Sequence, residues 1–283
     1  MKASIIDGAG LAIRYAEGLK ARVNALHEKG VRPRLAVILA GDNPASAAYV
    51  RLKAKRAAEL EIETELCAYD NGVAAETLIG RIRALNADEN AHGILVQLPL
   101  PAHLDALHVL KHILPEKDVD GLHPLNVGAL LRGGEGFIPC TPKGVLALIE
   151  STGEAIDGKA ACVVGRSNTV GKPAAVLLLR HNATVTICHT ETRDLAAATR
   201  AADILVSAAG HKALIGADMI KPGAIVIDVG MTKVDGKWYG DVDFEPACEV
   251  AGYITPVPGG VGPMTIMMLM ENTVEAAEKR LHG

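Results

Sequence analysis

A tyrosine and a lysine, Tyr49 and Lys53, stand four residues apart in the segment SAAYVRLKAKRAAEL, which is rich in helix formers. In a helix this spacing places the phenol and the ammonium on one face, where both can act on one ligand. Arg56 follows Lys53 by three residues, and a neighbouring positive charge is expected to lower the lysine pKa toward values useful for acid–base chemistry. A solvated basic helix face is the alternative interpretation.

Other polar side chains stand where strands or turns end. Gln97 closes the apolar run GILVQLPL, and the ligands of open α/β sheets collect at strand ends. In KDVDGLHPLNVG, Asp118 can hold the turn while Asp120 can accept hydrogen bonds from an amino-substituted heterocycle. A locally bonded glutamine and two turn-forming aspartates are the alternatives. The segment TPVPGGVGPMT (255–265) either exposes backbone groups to a ligand or forms a hinge.

The segment ACVVGRSNTVGKPAAVLLLRH begins with a short apolar run, which opens through a glycine turn into a helix-like stretch. This is the layout of a dinucleotide site, with Gly165, Ser167 and Gly171 spaced more widely than in G-x-G-x-x-G. Arg166 in the turn suits a 2′-phosphate, so NADP is favoured as the cofactor. Glu191, after the next strand, keeps NAD open, and a purely structural strand–helix turn is the other alternative.

These groups need a scaffold, and the chain alternates between strand-like and helix-like runs. Three apolar β-rich runs separated by helical segments predict a βαβαβ unit with a mainly parallel sheet. The Gly/Pro-rich passage at 131–144 is the candidate junction, and four more strand-like runs follow it. We therefore expect an α/β protein with two domains, each a mainly parallel sheet flanked by helices. The predicted domains are residues 1–139, onto which a final helix at 264–283 packs back, and residues 140–263.

Composition limits the classes of function. The 283 residues, 49% hydrophobic and 22% charged, are enough for two domains. A net charge of −4 makes nucleic acid an unlikely partner. Five widely spaced cysteines without a C-x-x-C pair indicate free thiols in a reducing compartment, and neither these nor the histidines form a metal motif, so no metal is expected. No signal peptide or membrane span is visible, so we expect a soluble cytoplasmic protein with no membrane partner.

Six segments, taken together, resemble the family of bifunctional methylenetetrahydrofolate dehydrogenase/methenyltetrahydrofolate cyclohydrolase enzymes, the FolD family. They occur in order along essentially the whole chain, and they are Tyr49-x-x-x-Lys53, VQLPLP, KDVDGLHPLNVG, PCTPKG, GRSNTVGKP and PVPGGVGPMT. Each segment alone is unspecific, whereas six in register are highly specific.

The resemblance implies a folate cleft between an N-terminal catalytic domain and a C-terminal Rossmann-type NADP-binding domain. It implies oxidation of 5,10-methylenetetrahydrofolate to 5,10-methenyltetrahydrofolate with NADP, followed by hydrolysis to 10-formyltetrahydrofolate. Tetrahydrofolate derivatives would be the substrates, in one-carbon metabolism and purine biosynthesis. A homodimer formed through the cofactor domain is also implied.

The resemblance also implies roles for individual residues in the catalytic domain. Lys53 would be the catalytic lysine, Gln97 its hydrogen-bonding tuner, Tyr49 a stacking partner of the folate and Asp120 the pterin anchor. The remaining substrate-binding residues would be Leu98, Pro258, Gly259 and Gly260.

In the cofactor domain the resemblance implies a second set of residues. Gly165, Arg166 and Ser167 would hold the phosphates, and Thr190 would also bind the cofactor. Met231, at a position that is often isoleucine in this family, would lie on the nicotinamide side.

Two other functions remain as alternatives. An NAD(P)-dependent dehydrogenase of another small substrate would need different groups around Tyr49, Lys53, Gln97 and Asp120. A non-catalytic NADP-sensing module would bind cofactor but would have no use for the lysine and the amide.

Overall fold

The structure, a computed structural model, describes residues 2–282. Met1, the first residue of the predicted first domain, and Gly283, the last residue of the predicted final helix, lie outside the described residues. The strands are β1 (Ser4–Ile5), β2 (Arg34–Ala40), β3 (Glu63–Tyr69), β4 (Gly93–Val96), β5 (Ala160–Val164), β6 (Thr184–Cys188), β7 (Ile204–Ser207), β8 (Ile225–Asp228), β9 (Thr232–Val234), β10 (Lys237–Tyr239) and β11 (Tyr253–Ile254). The α-helices are α1 (Gly8–Glu28), α2 (Pro44–Glu59), α3 (Ala75–Ala87), α4 (Ala106–Leu110), α5 (Pro124–Arg132), α6 (Cys140–Glu150), α7 (Gly171–Arg180), α8 (Leu195–Arg200), α9 (Phe244–Ala247) and α10 (Val261–His282).

The chain forms two compact units, and the first, called unit 1 here, contains the residues up to Ile13 together with Thr141–Thr265. Its sheet has the order β1-β11-β8-β7-β5-β6, and each neighbouring pair is parallel. Val164 is level with both Cys188 and Ser207. The carboxyl ends of these central strands therefore meet at one edge of the sheet.

Unit 2 contains Arg14–Cys140 and the residues from Ile266 onward. Its parallel sheet has the order β3-β2-β4, with Ile38 level with Val96. The buried side chains of β2 and β4 pack with those of α3 and α4 into one core, and the partly buried Cys67 and Tyr69 of β3 pack against it. The predicted α/β class with two parallel-sheet domains is confirmed.

The divisions between the units differ from the boundaries predicted from the sequence. The structure divides the chain after Ile13, Cys140 and Thr265, whereas the sequence boundaries fall after residues 139 and 263, with none near residue 13. The first residues join unit 1 because β1 pairs in parallel with β11. A two-residue strand has no periodicity by which a sequence pattern can reveal it.

The hairpin predicted from the Asp-Gly turn is present as β9 and β10. Asp235 and Gly236 have φ values of 50° and 78°, as a two-residue hairpin turn with right-handed twist requires. The last helix is longer than predicted, because it begins at Val261, inside the proline–glycine segment. Pro263 is tolerated there because the first N–H groups of a helix have no partner within it.

All five cysteines are free thiols, and only Cys67 is not fully buried. Within residues 2–282, no helix combines the length and the apolar character that a membrane crossing requires.

Asn272 in α10 provides a test of how unit 2 is held together. Its fully buried side-chain amide donates to the carbonyl oxygens of Val119, at 2.9 Å, and Ile138, at 3.1 Å. Asn272→Leu keeps the branching and the number of side-chain heavy atoms and removes these hydrogen bonds, so we expect the free energy of unfolding to fall by about 2 kcal/mol in urea titrations. Asn24→Leu, on the exposed face of α1, is the control and should change it by less than about 0.5 kcal/mol. Equal effects of the two variants would contradict this account of Asn272.

Candidate active site

Helix α2 positions Tyr49 and Lys53. It begins at Pro44, and the side-chain oxygen of Asn43 accepts from the N–H groups of Ala45 and Ser46. This is a capped helix start with proline in the first position. Lys53 lies on the buried face of the helix and is 6% exposed.

Lys53 is held at the end of strand β4 by an amide. Its Nζ donates to Oε1 of Gln97 at 2.9 Å, and Nε2 of Gln97 donates to the carbonyl of Leu98 at 2.6 Å. The Gln97 backbone N–H in turn donates to the carbonyl of Ile38 at 2.8 Å. Because the amide nitrogen is already engaged, its oxygen faces the lysine. The Lys53 ammonium also lies 5.6 Å from the centre of the Tyr49 ring.

Burial lowers the pKa of Lys53, against the opposing effects of the Asp120 carboxylate and the Cys140 thiol. The predicted direction is confirmed, but the predicted cause is wrong. Arg56 is paired with Glu59 at 2.8 Å and is not among the groups that lower the pKa. Removal from water, which disfavours the charged ammonium, is responsible.

Cys140, which lies in PCTPKG, is also a neighbour of this lysine, and its sequence position did not predict this. Its Sγ donates to the carbonyl of Val119 at 3.3 Å. A buried thiol behaves as a small apolar group in a sequence pattern, so only the fold could place it near Lys53.

The two aspartates of KDVDG differ in environment. Asp118 is buried, and its Oδ2 accepts from the N–H of His123 at 2.7 Å and from Nδ2 of Asn126 at 2.8 Å, so this carboxylate holds the turn. Gly121 has a φ of 72°, and a Cβ there would lie 2.6 Å from the nitrogen of Pro139. Asp120 is half-buried and close enough to raise the Lys53 pKa.

In unit 1, the turn after β5 has the features of a phosphate loop. Gly165 has a φ of 123°, and its N–H donates to the carbonyl of Cys188 at 2.8 Å. The hydroxyl oxygen of Ser167 accepts from the N–H groups of Val170, at 3.1 Å, and Gly171, at 3.2 Å. The Ser167 hydroxyl hydrogen can still donate to an anion. A Cβ at Gly171 would lie 2.2 Å from the carbonyl oxygen of Gly165, so only glycine allows this approach of strand and helix.

The other predicted cofactor residues lie at the same sheet edge. Arg166 is exposed in the turn after β5, Thr190 is exposed after β6, and Met231 is exposed after β8. The strand order changes direction between β5 and β7, which makes the crevice beside Gly165 the switch point where ligands of such sheets bind.

The predicted folate residues of the proline–glycine loop also belong to unit 1. Gly259 has a φ of 110°, and its carbonyl accepts from the N–H of Ala9 at 3.0 Å. Gly260 approaches the start of α1 so closely that a Cβ on Gly8 would lie 1.9 Å from its carbonyl oxygen. Pro258 is exposed beside them.

The structure thus brings Tyr49, Lys53, Gln97 and Leu98 into one cluster, with Asp120 near the lysine. The predicted cofactor residues lie on another unit. Within residues 2–282, no group of three or more His, Cys, Asp or Glu side chains is arranged to hold a metal ion.

A parallel α/β unit with a glycine turn at its switch point, and a second α/β unit with a buried, amide-bound lysine, define a two-domain nucleotide-dependent α/β enzyme. Two family models match the chain: the catalytic domain of tetrahydrofolate dehydrogenase/cyclohydrolase over residues 6–120, and its NAD(P)-binding domain over residues 139–281. The chain belongs to the tetrahydrofolate dehydrogenase/cyclohydrolase family.

Known proteins are similar over the full length. A protein from Janthinobacterium sp. (strain Marseille) named bifunctional protein FolD is 56% identical, with 99% of each chain covered. The crystal structure of the bifunctional FolD from Campylobacter jejuni is 48% identical, covers 98% of this chain and 99% of its own, and gives a TM-score of 0.97. The Trypanosoma brucei FolD, complexed with NADP cofactor and inhibitor, is 42% identical, covers 100% of both chains and gives a TM-score of 0.96.

These findings confirm the predicted family, its two activities and the NAD(P) cofactor: the protein is an oxidoreductase and a hydrolase of tetrahydrofolate derivatives. The alternative of a dehydrogenase for another small substrate is not favoured. The roles of the individual site residues stay predictions.

Gly171 tests the phosphate loop. Gly171→Ala forces a Cβ against the Gly165 carbonyl, so we expect a loss of about 1–3 kcal/mol in unfolding free energy and a fall of at least about tenfold in NAD(P) affinity, measured by calorimetric titration. Gly18→Ala in α1 is the matched control, because a Cβ there meets no atom within 4 Å. That change should leave affinity unaltered and favour the helix slightly. Unchanged affinity in Gly171→Ala would show that this close approach is not needed for binding.

Proposed function

We propose that this protein oxidises 5,10-methylenetetrahydrofolate to 5,10-methenyltetrahydrofolate with NADP and hydrolyses that product to 10-formyltetrahydrofolate. Its place would be in one-carbon metabolism, feeding purine biosynthesis. Both domains of the family are matched, and the Trypanosoma brucei relative is described as complexed with NADP. The observation that carries the proposal is the buried Lys53 held by Gln97.

The turn after β5 fits a dinucleotide. The close approach of Gly165 and Gly171 leaves the start of α7 without a side chain, where N–H groups and the helix dipole favour a phosphate. The exposed Arg166 guanidinium suits a 2′-phosphate, which favours NADP over NAD. When bound, the cofactor supplies the hydride acceptor.

The oxidation needs orientation more than acid–base catalysis. Loss of a hydride from the methylene carbon leaves a cation that both adjacent nitrogens stabilise, so no strong base is required. Tyr49 would stack on the folate, and the Asp120 carboxylate would accept hydrogen bonds from the pterin. These contacts restrict the substrate to a reactive orientation.

The hydrolysis is where Lys53 acts. Water adds to the amidinium-like carbon and loses a proton, and one carbon–nitrogen bond breaks as that nitrogen gains a proton. An amine of lowered pKa can accept the first proton and return it to the leaving nitrogen. Gln97 holds the Nζ in position for both transfers.

Lys53→Met is expected to abolish hydrolysis of methenyltetrahydrofolate while calorimetry shows NADP binding unchanged. Lys55→Met is the control and should retain wild-type rates, because the Lys55 side chain is 76% exposed on the same helix.

In the wild type, methylenetetrahydrofolate should support faster reduction of NADP than of NAD, and reduced cofactor should form faster than methenyltetrahydrofolate accumulates.

In the same assays, kcat/KM for hydrolysis should rise with pH as the Lys53 amine loses its proton. The midpoint of this rise should lie below the ordinary lysine pKa of about 10.4. Wild-type hydrolysis by Lys53→Met would contradict the role of the lysine. No folate-dependent reduction by a wild type that binds NADP would contradict the proposed function.

We further propose a cytoplasmic homodimer formed through unit 1. The free cysteines support a reducing compartment. Strand β6 is an edge strand, with Ile187 41% exposed on it and Leu179 58% exposed on α7, which packs on β6. An exposed apolar edge is a site for pairing with another chain.

Sedimentation should therefore give twice the 29.6 kDa chain mass, and Ile187→Lys should shift the protein toward monomer. The exposed Leu107→Lys, in unit 2, should leave the mass unchanged. A monomeric wild type would refute the dimer without affecting the proposed reactions.

A further inference from the structure

Two buried aspartates in unit 1 take no part in the chemistry described so far. Asp228 is the last residue of β8 and is 3% exposed, and Asp241 follows β10 and is 0% exposed. Neither lies in a sequence motif that predicts a site. Placing two carboxylates in a protein interior is costly unless hydrogen bonds compensate.

Asp241 accepts hydrogen bonds from a whole loop. Its Oδ2 accepts from Oγ of Ser207 at 3.1 Å and from the N–H groups of Ala209, at 2.6 Å, and Gly210, at 3.2 Å. Its Oδ1 accepts from the N–H of His211 at 2.8 Å. Three successive backbone N–H groups thus converge on one carboxylate, an arrangement that fixes the path of the chain after β7.

Asp228 holds Asp241 in its turn. Its Oδ1 accepts from the N–H groups of Gly230 and Asp241, both at 2.9 Å, and its Oδ2 accepts from the N–H of Val242 at 2.9 Å. Burial raises the pKa of Asp228 to about 6 in spite of these bonds, and the Asp241 carboxylate adds to the increase. Burial thus disfavours the charged form of Asp228, while the three backbone N–H groups stabilise it.

The backbone around both carboxylates leaves no space for adjustment. A Cβ at Gly230 would lie 2.1 Å from Oδ1 of Asp241, and a Cβ at Gly240 would lie 1.9 Å from Oδ2 of Asp228. Each carboxylate therefore lies against a backbone position where only glycine fits.

The loop that Asp241 fixes, residues 208–211, lies at the proposed cofactor site. The N–H of Ala208 donates at 2.7 Å to the carbonyl of Val164, which is the last residue before the phosphate turn. A Cβ on Gly165 would lie 2.3 Å from the Ala208 carbonyl oxygen, so loop and turn are in direct contact. Both follow strands β5 and β7, the pair that forms the switch point.

We infer that Asp241, held by Asp228, is a positioning residue for the dehydrogenase reaction, because it fixes the 208–211 loop as one wall of the NADP site. The inference rests on the proposed function and deepens it by dividing the two activities. Asp241 is required where cofactor binds, whereas hydrolysis, which depends on Lys53 in unit 2 and needs no cofactor, does not use it.

Asp241→Asn tests the inference. The carboxylate of Asp241 accepts hydrogen bonds at both oxygens, whereas an amide has only one acceptor oxygen. In Asp241→Asn the NH2 group would face N–H donors of the loop, so those hydrogen bonds would be lost. We expect the KM for NADP to rise at least tenfold, calorimetric NADP affinity to fall in parallel, and kcat/KM for hydrolysis of methenyltetrahydrofolate to stay within twofold of wild type. Asp235→Asn is the matched control, because it removes the same charge from the exposed hairpin turn of the same segment and should change none of these values.

Unchanged KM and affinity for NADP in Asp241→Asn would overturn the inference, and so would an equal loss of both activities in a variant whose circular dichroism is native. If Asp241→Asn does not fold, Ser207→Ala decides, because it removes only one of the four donors. It should raise the KM for NADP about two- to fivefold without affecting hydrolysis, and an unchanged KM would overturn the inference. A wild type that shows no NADP-dependent oxidation of methylenetetrahydrofolate would instead refute the proposed function.

Discussion

The hydrogen bond from Lys53 to Gln97 joins helix α2 to the end of strand β4, and the chemistry proposed for unit 2 depends on it. A lysine that is almost completely buried loses the hydration of its ammonium, which lowers its pKa. It stays in place because an amide, itself anchored through Leu98 and the strand, presents an acceptor. The same burial that makes the charged form costly makes the neutral amine available for proton transfer.

Unit 1 buries two side chains of the opposite charge, Asp228 and Asp241, near the carboxyl ends of strands β7 and β8. Asp228 is the last residue of the parallel strand β8, and Asp241 follows the hairpin strand β10. Both accept hydrogen bonds from backbone N–H groups of the neighbouring loops. In unit 1 the hydrogen bonds of these buried carboxylates fix irregular segments, whereas in unit 2 the bond of the buried Lys53 joins helix α2 to the end of β4. Parallel strands make this possible, because their carboxyl ends, and the loops that follow, gather at one edge.

The two reactions require different contributions from the protein. Hydride loss produces a cation that the substrate itself stabilises, so the protein contributes orientation, whereas hydrolysis needs a group that moves protons. In the proposed mechanism, one lysine with a lowered pKa serves the hydrolysis and also helps to orient the substrate for the oxidation. Family membership of both halves of the chain agrees with a single protein that carries out both steps.

The sequence by itself determined the features that depend on neighbouring residues. The alternation of strands and helices, the Asp235-Gly236 turn and the spacing of Tyr49 and Lys53 are local, because hydrophobic period, turn chemistry and helical repeat act over a few residues. The six ordered segments identified the family, because each carries its residue types at fixed positions along the chain.

Only the tertiary structure decided which distant residues meet. The pairing of β1 with β11, the proximity of Cys140 to Lys53 and the bonds between Asp241 and the 208–211 loop join segments that are far apart in the chain. The cause of the lowered Lys53 pKa belongs to the same class, since burial depends on everything that packs around the side chain, whereas Arg56, three residues away in the chain, is not a cause. Contacts of this kind have no local pattern, because packing brings them together after the local elements have formed.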